Sequence, residues 1–152
     1  MKVLVGQGSC GVATGARKTA EEFVRQVENL GLTNVKIDKT GCIGSCFLEP
    51  IVDIYDDEGN LEIRYIKIQP DKVSDIVNKH IVGGEPVWEY GIPEVDQNFL
   101  SKQKKIVLRN CGVINPERIE EYIMVGGYEA TKKALTKMTP EEVIEEMKVS
   151  NL

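Results

Sequence analysis

Apolar positions along this chain fall into short runs and helical repeats, with glycine marking the breaks. Lys2–Val5 is an apolar run that ends at Gly6 and predicts a strand, and the small-residue stretch Gly6–Gly15 predicts a loop. Ala16, Ala20, Phe23, Val24, Val27 and Leu30 then recur at helical spacing, with Gly31 at the helix-stop position. Asn34–Thr40 predicts a second strand with Val35 and Ile37 on one face, and Gly41–Phe47 a second small-residue loop. Ile51–Tyr55 and Leu61–Ile68 flank the turn cluster Asp56-Asp57-Glu58-Gly59-Asn60, which predicts a hairpin. A helix with Pro70 in its first turn carries Val73, Ile76, Val77 and Ile81 and stops at Gly83-Gly84.

The order through residue 84 is thus β-α-β-β-β-α. Its β-α-β unit implies two parallel strands with a right-handed crossover, and the hairpin adds two antiparallel strands. The expected fold is α/β: a thioredoxin-like, mixed four-stranded sheet with flanking helices over residues 1–84. Residues 85–103, with Pro86, Gly91 and Pro93, read as a linker that Trp88 and Tyr90 anchor to a neighbouring surface. Residues 104–152 read as a small helical C-terminal segment, opened by one more strand at Lys104–Arg109. Asn115-Pro116 starts a helix with Ile119, Tyr122 and Ile123 as its buried stripe, and Gly126-Gly127 stops it. A helix over Tyr128–Lys137 comes next, then a capping box, Thr139-Pro140-Glu141-Glu142, that opens the last one through Val143, Ile144 and Met147. A unit of about 50 residues with such narrow apolar faces is marginal alone, so its partner surface is expected beyond Leu152 or on another subunit.

Composition narrows the function. Hydrophobic residues make up 41% and charged residues 28%, enough to build a core and remain soluble. A net charge of −5 argues against nucleic-acid binding, which needs a basic face. No apolar run approaches the roughly 20 residues of a membrane span, and the N-terminal run is too short for a signal peptide, so a cytoplasmic location without direct membrane insertion is expected. His80 ends a polar helix and reads as a solvated side chain rather than a ligand.

Four cysteines remain: Cys10, Cys42, Cys46 and Cys111. In a reducing compartment, clustered cysteines read as metal-binding or redox groups rather than a disulfide framework. Cys10 lies in the loop after the first strand, and Cys42 and Cys46 lie in the loop after the second. In a parallel β-α-β unit both loops emerge at one sheet edge, so the three thiols are expected to converge there as metal ligands. Glycines in Gly41-Cys42-Ile43-Gly44-Ser45-Cys46 let backbone N–H groups approach an anionic cluster. A [2Fe–2S] cluster takes four protein ligands, normally thiolates, and these loops offer three. Cys42 and Cys46 also suit a redox dithiol, though with three residues between them rather than the two of the thioredoxin motif. Cys111, outside both loops, reads as a small buried hydrophobe.

Gly41–Cys46 followed by Glu49-Pro50 and a hairpin resembles the thioredoxin-like [2Fe–2S] ferredoxins. That domain occurs in the small subunit of respiratory NADH dehydrogenase and at the front of the NADH-binding flavoprotein subunits of NAD(P)-linked and electron-bifurcating hydrogenases. Lys105–Gly112, Ile119–Tyr122, Gly126–Ala130 and Met138–Ile144 are similar to the lead-in segment of that flavoprotein subunit, so the resemblance covers nearly the whole chain. In the family motif the first two cysteines are separated by four residues. Cys10 matches the second, and the first falls at Val5, which cannot ligate iron. Ser9 or Ser45 could offer an oxygen, but these clusters strongly prefer thiolate. The resemblance implies an electron-transfer module that relays electrons through a [2Fe–2S] site between a flavin domain and another subunit of an oxidoreductase or hydrogenase complex. The family's FMN and NAD(P) sites lie past the lead-in and the sequence stops at Leu152, so the chain is expected to be a fragment that does not oxidise NADH alone. A cluster-less docking domain and a Cys42–Cys46 thiol switch are the other two readings.

Overall fold

The structure, a computed structural model, describes residues 1–151 and divides into two compact units, Met1–Asn115 and Pro116–Leu152. In the first unit, β1 (Lys2–Gly6), β2 (Lys36–Thr40), β3 (Val52–Tyr55) and β4 (Leu61–Tyr65) form one sheet in the order β2-β1-β3-β4. β1 runs parallel to β2 and antiparallel to β3, which pairs antiparallel with β4. This is the mixed four-stranded sheet read from the sequence. β1 is interior, with Val3, Leu4 and Val5 all buried, which is why its sequence is a continuous apolar run rather than an alternating one.

α1 (Ser9–Ala13) is a short turn of helix inside the first glycine-rich loop, and α2 (Ala16–Asn29) is the crossover. α2 buries Ala16, Thr19, Phe23 and Val27, at spacings of three and four that keep one face on the sheet. α3 (Pro70–Ile76) packs beside it and runs on into a π-turn at Val77–Val82. Phe23, Val52, Ile54, Tyr65 and Val73 meet in the main core, where each side chain of this kind contributes about 1.5–3 kcal/mol by burial.

Three expectations are corrected by the structure. His80 is not solvated: it points inward from the π-turn and is fully buried, because it continues the stripe of Ile76 and Val77. Residues 85–103 carry a 3₁₀ turn at Trp88–Tyr90 and α4 at Glu94–Ser101, and of their two expected anchors the structure keeps one. Tyr90 does anchor it, packing on the core and donating to Asp75 at 3.1 Å, whereas Trp88 remains 73% exposed. Lys104–Arg109 forms turns, not a strand. The residues after this segment meet edge strand β2 through a side chain instead of a backbone ladder: Gly112 N–H donates to Thr40 Oγ1 at 2.9 Å, and that hydroxyl donates to Ile114 C=O at 2.8 Å. Asn115 Nδ2 adds a 2.7 Å bond to Asp38, so residues 110–115 form a strap within the first unit.

The second unit holds α5 (Ile119–Met124), α6 (Glu129–Lys137) and α7 (Pro140–Ser150). Thr139 and Glu142 complete the expected capping box at the start of α7. Tyr122 and Tyr128 meet edge to face, 5.0 Å apart. Ile119, Met124, Leu135 and Met147 each leave more than half of their surface exposed. Among the described residues no helix is long and apolar enough to cross a membrane.

Candidate metal centre

The parallel register ends with Gly6 opposite Thr40, so the loops after β1 and β2 leave the sheet side by side. Cys10 sits on α1 in the first loop; Cys42 and Cys46 sit in the second, with Cys46 opening a 3₁₀ turn through Leu48. The loops touch at Gly8: a Cβ there would lie 2.6 Å from Cys42 Cβ and 2.8 Å from Cys42 N, so only glycine allows this approach. Cys10 Sγ lies 3.1 Å from Cys42 Sγ, and Cys42 Sγ 3.7 Å from Cys46 Sγ. All three sulfurs fall within 4.8 Å of one another. Gly44 N–H donates to Cys42 Sγ at 3.3 Å, the kind of backbone contact the glycine-rich loop foreshadows. Cys10 and Cys42 are half-buried and Cys46 is exposed.

A fourth acidic group stands beside them. Glu49, one residue past the 3₁₀ turn, is buried to 6% exposure and places Oε1 3.8 Å from Cys10 Sγ. Its Oε2 accepts from Ile51 N–H at 2.8 Å. Burial pushes the Glu49 carboxyl up from its usual value, against the pull of that N–H and of the Cys10 thiol. Burial first, then the hydrogen bonds to Cys42 and Cys46 and the charges of Cys42 and Glu49, push Cys10 up to about 12. Burial dominates both shifts, and it gathers three thiols and a carboxyl whose charged forms a bound cation would favour. Three thiols and a carboxyl suit iron or another thiophilic metal far better than magnesium or calcium.

The remaining sequence candidates lie elsewhere. Val5 is wholly buried in the main core and presents only hydrocarbon. Ser9 is exposed and Ser45 is buried. Cys111 comes nearer than its position in the chain suggests, with Sγ 3.5 Å from where a Gly41 Cβ would stand, but outside the thiol trio. A cleft lined by Ile63, Arg64, Trp88, Ile92 and Lys105 includes none of the cysteines. Glu49 was visible in the sequence only as part of a motif; the flanking apolar residues Leu48 and Ile51 were the signal that its carboxyl is drawn inward.

No protein-family model matches the chain. A protein named "Ferredoxin, 2Fe-2S" from Aquifex aeolicus (strain VF5) is 37% identical over 84 residues, 53% of this chain and 70% of that protein. The NADP-reducing hydrogenase subunit HndC of Solidesulfovibrio fructosivorans is 53% identical over 51 residues, 34% of this chain but 10% of that subunit. Among solved structures, a thioredoxin-like [2Fe–2S] ferredoxin from Aquifex aeolicus superposes with a TM-score of 0.54 at 26% identity, covering 60% of this chain and 89% of that one. By sheet order, by thiol placement and by these relatives, the chain belongs to the thioredoxin-like [2Fe–2S] ferredoxin family.

Proposed function

We propose that this chain is an electron-transfer module that holds a [2Fe–2S] cluster with Cys10, Cys42 and Cys46 among its ligands. The observation that carries this reading is the convergence of three thiols from two separate loops within 4.8 Å, in a chain of ferredoxin ancestry. The cluster would supply one-electron exchange. The protein's part is to hold the sulfurs, exclude bulk water on the Cys10 side, and donate Gly44 N–H to Cys42 Sγ, which draws charge from the sulfur and raises the reduction potential. Exposed Cys46 leaves a short path to a docking partner.

The wider assignment rests on the hydrogenase-subunit relative: the module serves within a multi-subunit NAD(P)-linked oxidoreductase or hydrogenase, between a flavin domain and another subunit. Residues 1–84 form the ferredoxin domain, 85–103 its linker, and 104–152 the lead-in toward the flavin- and nicotinamide-binding part. Apolar side chains left exposed on α5, α6 and α7 support that role, since such faces are covered by further protein.

Anaerobic reconstitution with iron and sulfide tests the cluster. About two irons and two sulfides per chain, with visible absorption that bleaches on reduction, are expected. A colourless, iron-free chain whose thiols all titrate would leave only an assembly role for the domain.

A further inference from the structure

We propose that Glu49 is the fourth protein ligand of this site, binding through Oε1. This rests on the cluster reading above and deepens it. A [2Fe–2S] cluster needs four protein ligands, and the thiol trio supplies three.

Burial and partners single out Glu49. Its carboxyl is almost wholly buried, yet among the described residues it pairs with no lysine, arginine or histidine. Asp53 on β3, equally buried, shows what a structural carboxylate requires here: Arg64 grips it with two bonds of 2.7 and 2.6 Å. Glu49 Oε2 has one backbone N–H, and Oε1 meets only the Cys10 thiol, at 3.8 Å. One N–H and one long thiol contact leave most lone-pair sites of this carboxyl open beside Cys10, where a bound iron would meet them.

The backbone is also shaped for this carboxyl. A Cβ on Gly6 would stand 3.1 Å from both carboxyl oxygens, and one on Gly11 would stand 3.1 Å from Oε2 and 2.4 Å from the Gly6 carbonyl. Two glycines, one closing β1 and one within α1, therefore make the space that Glu49 fills beside Cys10. Val5, Ser9 and Cys111 have no comparable setting: the first packs in the core, the second faces solvent, and the third makes no contact with a thiol of the trio among the described residues, whereas Glu49 Oε1 reaches Cys10 Sγ. A carboxylate oxygen is a harder donor than thiolate and an acceptable one for ferric iron.

The test compares wild-type chain with Glu49→Gln, Glu49→Cys and Cys111→Ser after anaerobic reconstitution with ferrous iron and sulfide. Iron content, chelator-driven iron loss, visible absorption and the EPR spectrum of the reduced state are read, with far-UV circular dichroism of each apoprotein. Wild type and Cys111→Ser are expected to match. Glu49→Gln is expected to lose iron at least about ten-fold faster, and Glu49→Cys to keep it with charge-transfer bands moved to longer wavelength and changed g values. Should Glu49→Gln misfold, the reduced wild-type spectrum carries the test: g values of a site with one oxygen ligand support the proposal, and those of an all-thiolate site overturn it. Glu49→Gln that keeps iron with a wild-type spectrum, or iron lost in Cys111→Ser, overturns the proposal and leaves the electron-transfer reading standing. A wild-type chain that takes up no iron overturns both.

Discussion

The Tyr65 hydroxyl lies 2.9 Å from Nδ1 of His80, and both side chains are sealed from solvent. Val87 N–H donates to that hydroxyl at 2.9 Å, and Glu62 Oε2 lies 3.3 Å from Nε2 on the other side of the ring. Burial, against the pull of Glu62, holds the ring's pKa below the usual histidine value. In the unfolded chain the same ring titrates near about 6.5. Below that pH the unfolded chain gains a proton that the folded one does not. Stability is thus full above about 6.5 and falls as pH drops through it, by at most about 1.4 kcal/mol per pH unit. Thermal midpoints across this range are expected to show the fall, and His80→Gln to flatten it relative to wild type.

Gly8 governs how closely the two loops meet. In Gly8→Ala the new Cβ would press on Cys42 backbone and Cβ, neither of which can swing aside, so Cys42 must move away from Cys10. The fold is expected to survive, because the contact lies outside the main core. Iron retention under a chelator should drop about ten-fold or more, as for other changes that misplace metal ligands.

Thr40 fastens the strap. Its hydroxyl accepts from Gly112 N–H and donates to Ile114 C=O, so Thr40→Val keeps the shape and removes both partners. A cost of about 1–3 kcal/mol is expected in urea titration, with faster amide exchange at Gly112 as the local sign.

Thr139 begins α7 with its hydroxyl on Glu142 N–H while Glu142 returns a bond to Thr139 N–H. Thr139→Ala is expected to cost the helix about 1 kcal/mol, seen as lost helicity by circular dichroism and fraying at Glu142 by exchange, with the thiol site unaffected.

The sheet was legible because its determinants are local. The apolar run of β1, the stripe from Ala16 to Val27 and the turn at Asp56–Asn60 each state their own structure, and parallel β1 and β2 then bring Cys10 to Cys42 and Cys46 by topology alone. His80 was misread because a polar letter at the end of a helix looks solvated; its place on the stripe of Ile76 and Val77 was the available clue. The run around Ile106–Leu108 has strand letters, but the neighbouring residues engage β2 through Thr40's hydroxyl, which no periodicity encodes. Glu49 depends on two glycines distant in sequence closing around one carboxyl, a relationship that exists only in three dimensions.

The loops that carry the cysteines are positioned by strand register and by Gly8 against Cys42, on a sheet whose core, among the described residues, includes no cysteine. Small zinc domains, by contrast, collapse without their ion. Here strand register and the Gly8 contact place the loops, so the apoprotein is expected to fold first and take up its cluster afterwards. Scarcity of iron or sulfide would then lower the fraction that is redox-active while leaving the quantity of folded chain unchanged.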